Sequence, residues 1–256
     1  MQIVCWNVNS IRARKERFLS WLKERQPDVV CLQETKVVDS EFPADEIASL
    51  GYNCAVHGQK TYNGVAIVSR LPLSNIQKGF GDHQDDNQSR IISAFINDLR
   101  IISVYVPNGG ELGSDKYAYK LKWLKRLRAY LDQTANPEQE IIVAGDFNIA
   151  WRDCDAAHPE AWRDSVLAHT SIREAFAPIL SWGLRDLLAE KEPNGGVFSW
   201  WDYRQLSFAR NDGLRIDLLL TTETIANKCS KAWVDKEARK GEKPSDHAPV
   251  FIEFAR

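Results

Sequence analysis

An excess of positive charge and long hydrophobic runs are both missing from this sequence. Its 33 Lys and Arg residues are outnumbered by 35 Asp and Glu residues, which gives a formal net charge of −2. A chain with this balance has no overall field that attracts nucleic acid or a membrane surface, so any contact with a polyanion must be local. No apolar run approaches the roughly 20 residues of a transmembrane helix. The composition therefore indicates a soluble protein.

Paired cysteines are also missing. The five cysteines lie far apart, mostly within apolar runs, and no two of them form a Cys-x-x-Cys pair. This spacing argues against a disulfide framework and against a zinc site, and it favours reduced thiols in the core. The first residues also lack a positively charged segment followed by a signal-like apolar stretch. We therefore expect a cytoplasmic protein.

The chain does contain a series of short β-branched runs. Strand-length runs occur at 2–8, 28–34, 64–70, 90–96, 100–106, 140–146, 215–221 and 249–254. Apolar residues have helical spacing at 12–25 and 116–132, and Asn97-Asp98 predicts a turn between two successive strands. Crossovers mixed with hairpins predict a layered α/β or α+β fold. Because no linker or internal repeat is present, one domain over residues 1–256 is the simplest prediction.

Polar residues stand where several of these strands begin or end. Asn7, Glu34, Asp146 and Asn148 follow predicted strands, and Asp217 lies inside one. Strand interiors disfavour Asp and Asn, so each position needs a reason. Taken singly, each has a structural one, since it could cap a turn or a helix or form an ion pair.

Asp246 and His247 raise the same question just before the last strand. They lie between Pro244 and Pro249, so they could be a turn aspartate and a packed histidine. Taken together with the other strand-end residues, however, they indicate a metal site. Converging carboxylates repel one another unless a cation compensates them, and Mg²⁺ prefers oxygen ligands. Such a site suits cleavage of a phosphodiester.

Eight motifs, in order along the chain, resemble one branch of a known superfamily. They extend from Asn7 to the end of the chain and read NVNSIRAR, LQETK, HGQKTYNGVAI, YVPNGG, GDFNIA, SWWDYR, GLRIDLLL and KPSDHAPV. This set resembles the exonuclease III branch of the apurinic/apyrimidinic endonucleases, within the endonuclease/exonuclease/phosphatase superfamily. GDFN or SDH alone would mark only the superfamily, whereas LQETK with SWWDYR and GLRIDLLL marks this branch.

The resemblance implies a DNase I-like fold and a metal cofactor. The implied fold is a four-layer α/β-sandwich, with two central mixed β-sheets flanked by helices and an active site at one sheet edge. The implied cofactor is Mg²⁺, with Mn²⁺ as a substitute, and Glu34 is implied as its principal ligand. The full set of implied metal-site residues is Asn7, Glu34, Asp146, Asn148, Asp246 and His247.

Catalytic roles follow from the same resemblance. Asp146 would orient or deprotonate the attacking water, and Asn148 would hold water or phosphate beside it. Asp217 would fix His247, whose imidazolium would contact the scissile phosphate, and Tyr105 would supply a phenol. An alternative makes His247 and Asp217 the general-base pair, and the choice depends on a pKa that the sequence does not report.

Substrate-binding residues are implied on the same rim. Trp200 would line a pocket for an extrahelical baseless deoxyribose, with Leu214 and Ile216 as its apolar wall. Phosphate contacts are implied for Lys36, Tyr62, Asn63, Asn108 and Arg204. The basic run KLKWLKRLR at 120–128 is interpreted instead as the solvated face of an amphipathic helix.

Two positions depart from other members of the branch. Some relatives have Asp where this chain has Asn9, which weakens any metal role there. Some carry a basic residue where this chain has Glu111, which removes an additional DNA-bridging contact. Neither departure touches the residues of the core reaction.

The implied function is incision of duplex DNA 5′ to abasic sites in base excision repair, with 3′→5′ exonuclease and 3′-phosphatase or 3′-phosphodiesterase activities. The expected partner is double-stranded DNA with abasic sites or blocked 3′ ends, and the protein is expected to act as a monomer without a membrane. One alternative is a phosphatase of the same superfamily, against which SWWDYR and GLRIDLLL argue. The other is a non-catalytic DNA-binding protein, against which the presence of Glu34, Asp146, Asn148 and His247 argues.

Overall fold

Twelve strands and eight α-helices make up the computed structural model, which describes residues 1–84 and 86–254. The strands are β1 (Gln2–Asn7), β2 (Val29–Gln33), β3 (Asn53–His57), β4 (Val65–Ser69), β5 (Ser74–Lys78), β6 (Ile91–Ile96), β7 (Leu99–Tyr105), β8 (Ile141–Asp146), β9 (Leu184–Asp186), β10 (Asp217–Thr222), β11 (Cys229–Val234) and β12 (Val250–Phe254). The helices are α1 (Lys15–Arg25), α2 (Ala44–Ala48), α3 (Asp115–Thr134), α4 (Pro159–Trp162), α5 (Thr170–Leu180), α6 (Leu187–Lys191), α7 (Ser207–Arg210) and α8 (Glu223–Ala226).

The strands form two mixed sheets of six strands each. One sheet has the order β11-β12-β1-β2-β4-β3 and the other the order β5-β6-β7-β8-β10-β9. Each sheet contains one parallel pair, β1 with β2 and β7 with β8, and its other neighbours are antiparallel. The predicted turn at Asn97 joins β6 to β7, and Asn97 has a φ of 52°, which asparagine tolerates in tight turns.

The two sheets pack face to face because each carries apolar residues on both faces. The inner faces bury Ile3 and Cys31 of the first sheet against Ile101 and Leu219 of the second. The outer face of the first sheet packs on α1 through a cluster that includes Phe18, and the outer face of the second packs on α3 and α5. The result is a helix–sheet–sheet–helix arrangement, so the predicted four-layer sandwich is confirmed. None of the helices in the described part of the chain is long and apolar enough to cross a membrane.

Candidate active site

Strand ends from both sheets meet at one edge of the sandwich. Asn7 ends β1 and Glu34 follows β2, while Tyr105 and Asp146 end β7 and β8 of the other sheet. Tyr105 and Asp146 are paired in register across the parallel strands. Because β10 runs antiparallel to β8, its first residue, Asp217, lies beside Asp146. Topology alone therefore gathers carboxylates from distant parts of the chain.

Glu34, Asp146 and His247 form the centre of this cluster. Each offers one ligand atom, and these atoms lie within 4.8 Å of one another. Asn7 lies between the two acids, and its Nδ2 donates to Glu34 Oε1 at 2.8 Å and to Asp146 Oδ2 at 2.9 Å. Its Oδ1 accepts from the backbone N–H of Asn9 at 2.9 Å. The amide nitrogen of Asn7, rather than its oxygen, thus faces the predicted metal site.

His247 is held by Asp217 in a buried pair. Asp217 Oδ2 lies 2.8 Å from His247 Nδ1 and also accepts from Ser199 Oγ at 2.6 Å. The other ring nitrogen, Nε2, lies 3.7 Å from Asp146 Oδ2. The ring is therefore oriented so that Nε2 points into the cluster, as the resemblance implies.

The electrostatics of this group favour a charged imidazole. Burial disfavours the imidazolium, but the negative charges of Asp217 and Asp146 outweigh burial and raise the pKa of His247 to about 10. Burial also raises the pKa of Asp146 to about 7; the charge of His247 opposes this, and the charges of Asp217 and Glu34 add to it. At neutral pH, a pKa of about 10 leaves the imidazole of His247 charged, and a pKa of about 7 leaves the carboxyl of Asp146 partly protonated.

Tyr105 lies beside the same carboxylates and keeps its proton. Burial raises the pKa of its phenol well above the usual value, and the charges of Glu34 and Asp146 raise it further. The guanidinium of Arg90 stacks over its ring, 4.7 Å from the ring centroid. The phenol is therefore an oriented hydrogen-bond donor at neutral pH.

A basic side chain already balances part of the negative charge. Glu34 and Lys36 both have left-handed backbone conformations, with φ of 51° and 56°, which turn the two side chains toward each other. Lys36 Nζ lies 2.7 Å from Glu34 Oε2 and 2.6 Å from Asn9 Oδ1. Burial raises the pKa of Glu34, but Lys36, the amide of Asn7 and the charge of His247 together outweigh burial and hold this pKa below its usual value.

Asp246 faces a neighbouring position rather than the centre of the cluster. Its Oδ1 accepts from Asn9 Nδ2 at 2.9 Å, and its Oδ2 accepts from Trp200 Nε1 at 3.0 Å. It thus joins the predicted metal site to the predicted sugar pocket. The structure does not place Asp246 among the ligand atoms that Glu34, Asp146 and His247 share.

Asn148 is fixed on every side. Its backbone, with φ of 52°, donates from N–H to Asp146 Oδ1 at 2.9 Å. Its side-chain Nδ2 donates to Val106 O at 3.0 Å, and its Oδ1 accepts from Asn108 Nδ2 at 3.1 Å. Asn148 and Asn108, which the sequence predicts in separate roles, therefore form one unit beside Asp146.

The position of Lys120 contradicts the prediction that the basic run at 120–128 is a solvated helix face. Its side chain is fully buried, and its Nζ donates to the carbonyl oxygens of Asn108, Asn148 and Val166 at 3.0, 2.7 and 2.7 Å. Lys122 and Lys125 in the same run are exposed, as predicted. Helical periodicity already indicates the error, because Lys120 lies four residues before Leu124, on the buried face. Sequence reasoning also missed Ser199, the partner of Asp217.

Two open clefts flank the cluster and contain most of the predicted substrate-binding residues. One, of about 510 Å³, is lined by Tyr62, Asn63 and Asn108 together with Arg90 and Lys116. Tyr62 is 68% exposed, so its ring is available to a ligand.

The other cleft, of about 320 Å³, is lined by Trp200 and Arg204, and Trp162 packs edge-on against Trp200 with ring centroids 5.9 Å apart. Leu214 and Ile216 are buried in the core behind Trp200. Trp200 therefore lines the cleft, whereas Leu214 and Ile216, the predicted apolar wall, lie below the surface and do not line it.

Known proteins are similar to this chain in both sequence and fold. The sequence model of the endonuclease/exonuclease/phosphatase family matches residues 4–247. The chain belongs to this family. The chain is 34% identical to exodeoxyribonuclease III of Haemophilus influenzae over 266 aligned residues. The alignment covers 99% of the chain and 100% of the relative.

Solved structures of the endonuclease/exonuclease/phosphatase family agree with the fold described above. An AP endonuclease from Archaeoglobus fulgidus superposes with a TM-score of 0.97 at 36% identity and covers 100% of both chains. A 3′-5′ exonuclease from Neisseria meningitidis and a Neisseria 3′ phosphatase bound to a product DNA hairpin each superpose with a TM-score of 0.96 at 39% identity and full coverage of both chains. The predicted membership of the exonuclease III branch and the predicted DNase I-like fold are therefore confirmed.

Proposed function

We propose that this protein is a DNA-repair phosphodiesterase that incises duplex DNA 5′ to abasic sites and also acts at 3′ ends as an exonuclease and a 3′-phosphatase or 3′-phosphodiesterase. The observation that carries the proposal is the convergence of Glu34, Asp146 and His247 within 4.8 Å. The full-length relatives, named as exodeoxyribonuclease III, AP endonuclease and 3′ phosphatase, support the same chemistry.

The donor set fits a hard divalent cation, and we propose Mg²⁺, with Mn²⁺ as a substitute. Carboxylate oxygens of Glu34 and Asp146 are the atoms that Mg²⁺ prefers, and among residues 1–84 and 86–254 no cysteine belongs to this cluster to favour a softer metal. Glu34 and Asp146 would hold the ion. When bound, it supplies neutralisation of the charge that develops on the phosphate oxygens.

The chain's own residues supply the remaining chemistry. Asp146 accepts the proton of the attacking water, since its carboxylate lies at the centre of the cluster, 3.7 Å from His247 Nε2. His247, kept charged by Asp217, donates from Nε2 to a non-bridging phosphate oxygen. The phenol of Tyr105 donates on the same side, and Asn148 holds the water next to Asp146. The water oxygen forms the new bond to phosphorus as the P–O3′ bond breaks, and the leaving 3′ oxygen takes up the equivalent of the proton that the water lost. Incision therefore leaves a 3′-hydroxyl and a 5′-deoxyribose phosphate.

The two clefts support duplex DNA as the partner. Arg90 and Lys116 line one cleft and Arg204 the other, so local basic groups can contact the backbone on both sides of the cluster despite the net negative charge. Trp200 offers an apolar surface where a sugar without a base can enter. Action as a monomer and a cytoplasmic location belong to the same proposal.

The test is incubation of the purified protein with two duplexes, one carrying a single tetrahydrofuran abasic analogue and one ending in a 3′-phosphate. We expect incision of the first and release of phosphate from the second with Mg²⁺, and neither reaction with EDTA. An intact abasic duplex in the presence of Mg²⁺ would refute the main proposal. Hydrolysis of an inositol phosphate without action on either duplex would establish the phosphatase alternative.

A further inference from the structure

Lys120 is buried, and none of the carboxylates in the described part of the chain forms an ion pair with it. It lies in the second turn of α3, where Trp123, Leu124 and Leu127 supply an apolar face to the core. An ammonium group has three N–H donors, and Lys120 places all three on carbonyl oxygens. Burying a charge in this way is costly, and an apolar side chain on the same face avoids that cost.

The three carbonyls belong to three separate segments around the active site. Asn108 lies in the loop after β7, Asn148 in the loop after β8, and Val166 in the segment between α4 and α5. Lys120 Nζ is the common donor to the first two loops, whose side chains also join through Asn108 Nδ2 and Asn148 Oδ1 at 3.1 Å. One ammonium group therefore fixes the backbone of both asparagines beside Asp146.

The loop itself is shaped around the lysine stem. A Cβ atom at Gly109 would lie 3.0 Å from Lys120 Cδ and 3.3 Å from Val166 Cβ, and Gly109 has a φ of +100°, which side chains rarely adopt. Lys120 and Gly109 are thus matched to each other. A side chain at position 109 would crowd the stem of Lys120, so the loop packs closely against this lysine.

We propose that Lys120 is a positioning residue that fixes the loops of Asn108 and Asn148 in the geometry required for phosphodiester cleavage. It acts through these loops and does not touch the substrate. The inference rests on the proposed nuclease function. Displacement of a catalytic group by about 1 Å costs about 10²-fold in rate, which sets the size of the expected effect.

The test compares Lys120→Met with Lys122→Met on the tetrahydrofuran duplex. Methionine keeps the length of the stem but donates nothing to the carbonyls. Lys122 is exposed on the same helix, roughly opposite Lys120 because two residues rotate the helix by about 200°. We expect Lys120→Met to lower kcat about 10²-fold with KM nearly unchanged, and Lys122→Met to leave both parameters at the wild-type values.

A double-mutant cycle separates positioning from general destabilisation. If Lys120 acts through Asn148, then Lys120→Met lowers the single-turnover rate much less in an Asn148→Ala background than in the wild type. A structural defect unrelated to Asn148 gives additive losses and overturns the proposal. A wild-type kcat for Lys120→Met overturns it too.

Two further outcomes complete the test. If Lys120→Met does not fold, as judged from its melting curve, Lys120→Gln replaces it, since its amide still donates to two carbonyls. We then expect a smaller kcat loss that again diminishes in the Asn148→Ala background. If the wild-type protein cleaves neither duplex, the proposed function fails and this inference fails with it, whereas cleavage by the wild type with an unaffected Lys120 variant refutes the inference alone.

Discussion

Asp217→Asn tests whether His247 works as a cation. Asp217 Oδ2 accepts from both His247 and Ser199, whereas Oδ1 has no hydrogen-bond partner among the described residues. The asparagine oxygen can therefore take the place of Oδ2, which preserves both bonds. The substitution then removes one negative charge and places the amide Nδ2 at the buried position of Oδ1, which costs some stability because its N–H donors are left unsatisfied.

The size of the effect follows from the distance. With charge centres about 4 Å apart and an effective dielectric constant of about 20, the lost attraction is about 4 kcal/mol. At 1.36 kcal/mol per pKa unit, this lowers a pKa by about 3 units. In the wild type, Asp217 and Asp146 raise the pKa of His247 to about 10. In Asp217→Asn we expect a pKa of His247 about 3 units lower, which is near 7.

The direct assay is an NMR titration of the metal-free protein. His247→Asn assigns the imidazole signal among those of the five histidines. Ser199→Ala is the matched control, because it removes a bond to Asp217 but leaves the charge in place. We expect a high pKa of His247 in the wild type and in Ser199→Ala, and a much lower one in Asp217→Asn.

The pH dependence of incision gives the second readout. If protonated His247 contacts the phosphate, Asp217→Asn loses activity relative to the wild type as the pH rises from 6 to 8, by about tenfold once nine-tenths of the imidazole is neutral. Lowering the pH restores the ratio. A wild-type pKa of His247 near its ordinary value, or an Asp217→Asn variant that gains activity with rising pH, would refute the reasoning and favour the general-base alternative.

Two further predictions concern the metal-site carboxylates and the buried ion pairs. Glu34→Ala and Asp146→Asn are each expected to lower the Mg²⁺-dependent incision rate by at least about 10²-fold, and near-wild-type rates would remove that residue from the mechanism. Arg215 is buried and paired with Asp155 and Asp186 at 2.8 and 2.7 Å. Arg215→Met is expected to lower the free energy of unfolding by about 3–5 kcal/mol in urea denaturation, because it removes the paired cation of Asp186 and one of the two cations that pair with Asp155, the other being Arg152. A loss below about 1 kcal/mol would contradict this.

The interior of both sheets could be predicted from the sequence, but their edges could not. Each of the eight predicted runs overlaps one strand to within a few residues at its ends, and the missed strands are β3, β5, β9 and β11. All four are edge strands. Edge strands are paired on one side only and can expose polar residues, as β3, β5 and β11 do, so they lack the apolar pattern that identifies a strand, and β9 has only three residues. In β5, for example, four of five residues are exposed.

The polar residues at the strand ends could also be predicted from the sequence. The residues that hydrogen-bond to them or to their loops could not. Asn7, Glu34 and Asp146 stand out because strands disfavour them, and the strand order brings them together. Lys120 and Ser199 carry no such signal. Their partners are loop carbonyls and a carboxylate that become neighbours only once both sheets are assembled.

The charge balance of the assembled site explains why these supporting residues are needed. The four carboxylates of the cluster lie near the ammonium of Lys36 and the imidazolium of His247. These carboxylates belong to Glu34, Asp146, Asp217 and Asp246. Without a cation these acids repel one another, so the fold must hold them in place by other means. The bonds from Asn7, Ser199 and Lys36 do this for the carboxylates, and Lys120 does it for the loops beside them.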